Sequence, residues 1–199
     1  DDRTRRRSRG YSLRGGVVQL AQAFGAFAKT CPDRALTIVA DLEPGRHEDV
    51  AGAALREVAS VGDPRAVTTL IHRLDAKGFA TPHWRNDCGW ALQAVSARLN
   101  GLRDEDIALV ERWLERDPAT ITGQIASRIE SDKRNSERNG TRRNAKVHQL
   151  LFGRGGGMVI VPHHNYTFLD TMGLGWLKRD PPDHEAWLDA MLRHLNDPE

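Results

Sequence analysis

Apolar residues return in this chain every thirty-odd positions, and that period constrains the fold more than any other feature. Ala23-Phe24 and Ala54-Leu55 hold equivalent places 31 residues apart, and Ala91-Leu92 follows 37 further on. Pro32 and Pro64 are 32 apart. Within each unit the apolar side chains recur three and four residues apart, the spacing of a half-buried helix. One helix pair per period cannot cover its own apolar faces, so successive pairs must stack to bury them. The expectation is an all-α chain of stacked antiparallel helix pairs, an α-solenoid.

The individual helices follow from the same stripes. Val17, Val18, Leu20, Ala21, Phe24, Phe27 and Ala28 share a face over Gly16–Lys29. Pro32 opens the next helix, to Leu42, because its missing N–H would be unpaired at a first helical position anyway. Asp49–Val61 presents Val50, Ala53, Ala54, Leu55, Val58 and Ala59. Gly62-Asp63-Pro64 makes a turn in which Asp63 is the cap of a helix carrying Val67, Leu70, Ile71 and Leu74. A longer link over 76–82 leads to a helix over Asn86–Leu99, and Asp104–Glu115 forms another.

The run Ala53-Ala54-Leu55-Arg56-Glu57-Val58-Ala59-Ser60-Val61-Gly62-Asp63-Pro64-Arg65-Ala66-Val67, continuing to Leu70 and Leu74, resembles the HEAT-like (armadillo-type) helical repeat family. Its pattern is an alanine-leucine helix, a glycine-aspartate-proline turn and a second helix with leucines three to four apart. Arg85 followed by Cys88 and Ala91-Leu92 looks like the opening of the next unit. The resemblance covers roughly residues 16–117 and implies a right-handed solenoid and a binding-scaffold role, without naming a partner.

Beyond Pro118 the pattern departs from the family. Ile121, Ile125 and Ile129 predict a helix over 119–131, a polar loop follows, and Val147 to Phe152 suggest another helix over 144–152. Met158-Val159-Ile160-Val161 reads as a short strand. Thr167–Leu177 is helical, and after Pro181-Pro182, Asp183 caps a final helix with Trp187, Leu188, Met191, Leu192 and Leu195. The organisation is therefore a basic flexible arm over 1–15, HEAT-like repeats over 16–117, and further helices with irregular loops over 118–199 in the same domain.

Charge is unevenly distributed. The formal net charge is +2, but residues 1–14 carry +4 and residues 128–146 another +4, leaving −6 on the rest. Arg5, Arg6 and Arg7 in the first segment, and Arg142 and Arg143 in the second, are suited to phosphate contact, so nucleic acid is a candidate partner. No run of about 18 apolar residues exists to span a bilayer. The start at Asp1 rather than Met marks a candidate piece of a longer protein. Cys31 and Cys88 are expected reduced and buried on apolar helix faces, as in a cytoplasmic protein.

Catalytic and cofactor motifs are weak. Gly153-Arg154-Gly155-Gly156-Gly157 follows a helix and lacks the Lys of a phosphate loop, and so reads as a hinge. His163-His164 are adjacent, and adjacent side chains diverge rather than converge on a metal. No metal or cofactor is expected. Asp104-Glu105-Asp106 suit the positive end of a helix. Some HEAT-like proteins are DNA glycosylases that use tryptophans and an aspartate, and Trp84, Asp87 and Trp90 invite that comparison.

The reading the residues favour is a non-catalytic scaffold for a protein partner. The surface would be lined by the helices over 16–29, 49–61 and 86–99, exposing Gln19, Gln22, Arg56, Glu57 and Gln93. A nucleic-acid binder using the basic segments is the alternative.

Overall fold

The structure, a computed structural model, describes residues 16–115 and 164–194, with isolated positions between 120 and 134. All regular structure among the described residues is helical. The elements are α1 (Val17–Thr30), α2 (Pro32–Asp41), α3 (Glu48–Val61), α4 (Pro64–Lys77), α5 (Pro82–Leu99), α6 (Asp104–Arg112), α7 (His164–Leu177) and α8 (His184–His194). None of them is long and apolar enough to cross a membrane.

Helix starts are written in local chemistry. Asp63 accepts the Arg65 N–H at 3.0 Å and Pro64 occupies the first position of α4. Thr81 and Pro82 repeat the device for α5, Thr81 Oγ1 accepting the Trp84 N–H at 3.4 Å. Asp183 accepts the Ala186 N–H at 3.0 Å ahead of α8. Gly78, at φ 104°, closes α4 in the left-handed region that glycine adopts without a Cβ penalty.

The Thr81-Pro82 start corrects the expected link over 76–82. Helix α4 runs on to Lys77 and α5 opens at Pro82, so the residues that lengthen the third period form an extra helical turn rather than a loop. Helix α6 ends at Arg112, short of Glu115, and α7 begins at His164. Cys88 is buried, but Cys31 is exposed, because it stands at the corner where α1 ends and α2 begins. The expected helix over 119–131 falls mostly outside the described residues, although Thr120, Gly123, Ala126 and Glu130 are helical. The helix over 144–152, the strand at 158–161 and the arm over 1–15 lie outside them entirely.

Packing follows two rows. Helix α1 lies on α3, α3 on α5 and α5 on α7, while α2 touches α4 and α4 touches α6 on the other side. Helix α3 is central, with Ala51, Ala53, Ala54, Leu55, Val58 and Ala59 all buried. Small residues let its neighbours approach closely. A Cβ on Gly52 would lie 3.0 Å from Asp87 Cβ and 3.4 Å from Trp84 Cα, and one on Gly89 would lie 3.0 Å from Thr167 Cγ2. Phe79, Trp84, Trp113 and Phe168 form a chain of ring contacts at 5.7, 5.5 and 5.9 Å through the core. Trp113 Nε1 donates to Asp75 at 2.8 Å. Asn165 joins α7 to the end of the first segment by accepting from the Glu115 N–H and donating to its carbonyl, at 2.9 and 2.8 Å.

One buried carboxylate ties two connections together. Glu48 accepts from the backbone N–H groups of Gly45 (2.7 Å), Ala80 (3.0 Å) and Thr81 (2.5 Å). Burial disfavours its charged form, yet hydrogen bonds from the Thr81 side chain and these amides together outweigh it and hold the carboxyl below its ordinary value. A lowered folded pKa stabilises the fold above the unfolded carboxyl range, and the contribution is lost as pH falls through the folded value.

Two outcomes are expected. Glu48→Gln lowers stability at pH 7 by about 1–3 kcal/mol, since a charged acceptor of several amides is lost; in urea melts its deficit against wild type shrinks as pH falls below about 4. Gly52→Leu forces α3 from α5 and costs about 1–3 kcal/mol in the same assay.

Candidate functional site

Helices α1, α3 and α5 together enclose a groove of about 640 Å³. Its floor is small: Ala21, Gly25 and Ala53, all buried. The walls carry Gln22 and Ala26 from α1, Asp49, Arg56 and Glu57 from α3, and His83, Asn86 and Asp87 from α5. These positions recur three, four, seven and eight residues apart on their own helices, so each set shares one face.

Arg56 organises the charges. Its guanidinium donates to Asp87 at 2.9 Å and lies 3.8 Å from Glu57. Its side chain is 47% exposed, whereas that of Asp87 is 18% exposed. Burial pushes the Asp87 carboxyl above its ordinary value; Arg56 and His83 oppose the shift and Asp49 adds to it. Burial likewise raises the Cys88 thiol well above its ordinary value, which leaves it a poor nucleophile.

Of the residues singled out from the sequence, Gln22, Arg56 and Glu57 meet in the groove. Gln19 does not; its side chain accepts the Gly16 N–H at 3.2 Å and caps α1. Gln93 is turned to α7, where its amide donates to the Thr167 carbonyl and to Thr171 Oγ1 at 3.3 and 3.1 Å. Its expected place on the surface is thereby corrected, because α7 covers that part of α5. Arg5, Arg6, Arg7, Arg142 and Arg143 lie outside the described residues, as do His163 and the glycine run at 153–157. Trp84 is fully buried in the aromatic chain and Trp90 is exposed, so neither lines the groove with Asp87. Among the described residues no three His, Cys, Asp or Glu side chains are grouped as a metal would need.

Asp49, His83 and Asn86 are groove residues that the repeat pattern did not single out. His83 falls between the expected link over 76–82 and the expected helix from Asn86, and the Thr81-Pro82 start places it on a helical face with Asn86 and Asp87. That signal was present in the chain.

A raised carboxyl value means that ionised Asp87 lowers stability, a cost fully present above the folded pKa and absent below the unfolded one. Asp87→Asn is accordingly expected to match or exceed wild type in thermal melts at pH 7, with the difference closing toward about pH 3; a clear loss at pH 7 would contradict the assignment. Compared with protein-family models, curated proteins and solved structures, the chain matches none.

Proposed function

We propose that this chain is a non-catalytic, right-handed α-solenoid of HEAT-like helix pairs that holds a segment of a protein partner on the face made by α1, α3 and α5, within the cytoplasm. The observation that carries the reading is the groove. Three helices successive in one row line one depression, α3 and α5 with charged and polar side chains and α1 with small residues and Gln22. The Ala53–Val67 run and its Gly-Asp-Pro turn support the repeat assignment.

The nucleic-acid alternative draws on the basic segments, and the groove itself does not favour it. Asp49, Glu57 and Asp87 would face a phosphate backbone with Arg56 as the adjoining guanidinium. A base-excising role would need tryptophans beside Asp87, and Trp84 is committed to the core.

The test is a photo-crosslinking amino acid at Gln22 in the full chain, exposed to cell extract. Capture of a protein that is lost when Ala26→Trp fills the groove is the expected result, because Ala26 is an exposed wall position that tolerates bulk. Capture of nucleic acid instead, or of protein indifferent to Ala26→Trp, would overturn the reading.

A further inference from the structure

We draw no further inference here: the strongest candidate, the outward apolar stripe of α8 formed by Leu188, Met191 and Leu192, is exposed, and nothing in the structure shows what covers it.

Discussion

The close approach of α3 to its neighbours is the constraint on which the rest of this structure depends. Helix α3 is lined with alanine and glycine on more than one side, so α1 and α5 can both settle against it with little side chain between. Gly52 meets Asp87 and Trp84 at distances that leave no room for a larger residue. Packing of this kind gains dispersion contacts along the helix length rather than through a few large side chains. The bulky residues are displaced to one side, where Phe79, Trp84, Trp113 and Phe168 join the two rows of helices.

Polar groups fix the register that alanine contacts leave loose. Arg98, near the end of α5, donates to the Ala59 and Gly62 carbonyls at 2.9 and 2.6 Å, satisfying acceptors that the end of α3 leaves open. Glu48 performs the complementary task for amides in the connections before α3 and α5. Buried Asp106 accepts from His72 Nε2 at 2.8 Å and from Arg103 at 3.0 Å, joining α4 to the start of α6. The Arg98, Glu48 and His72–Asp106 contacts each join residues more than thirty positions apart, so the helices are held in order by groups whose absence would leave buried polar atoms unpaired.

The groove is a consequence of the same small residues. Where Ala21, Gly25 and Ala53 keep the floor low, the longer side chains above them stand apart and leave space. Packing that brings α1, α3 and α5 together therefore also places Arg56 against Asp87 and Glu57. Asp87 is mostly buried there, and that burial raises its carboxyl above the ordinary value.

The chain by itself determined that these helices form and roughly where. Apolar spacing, the Gly62-Asp63-Pro64 turn and the capping residues are local signals, and they act within a few residues through backbone hydrogen bonding and burial of one face. Gln22, Arg56 and Glu57 were legible as candidate surface positions because they stand outside the apolar stripes of their helices. Only the tertiary structure decided which exposed-looking positions remain open. Gln93 has the same phase as Arg56, yet α7, arriving from more than seventy residues away, takes its amide. Trp84 and Trp90 are equally polar-flanked in the sequence, but one anchors the core and the other faces solvent. Asp87 has its carboxyl pushed up by burial, and the guanidinium that opposes the shift belongs to Arg56, 31 positions distant. Burial and electrostatics at a given side chain are set by whatever packs over it, and local periodicity carries no record of a helix that arrives from so far along the chain.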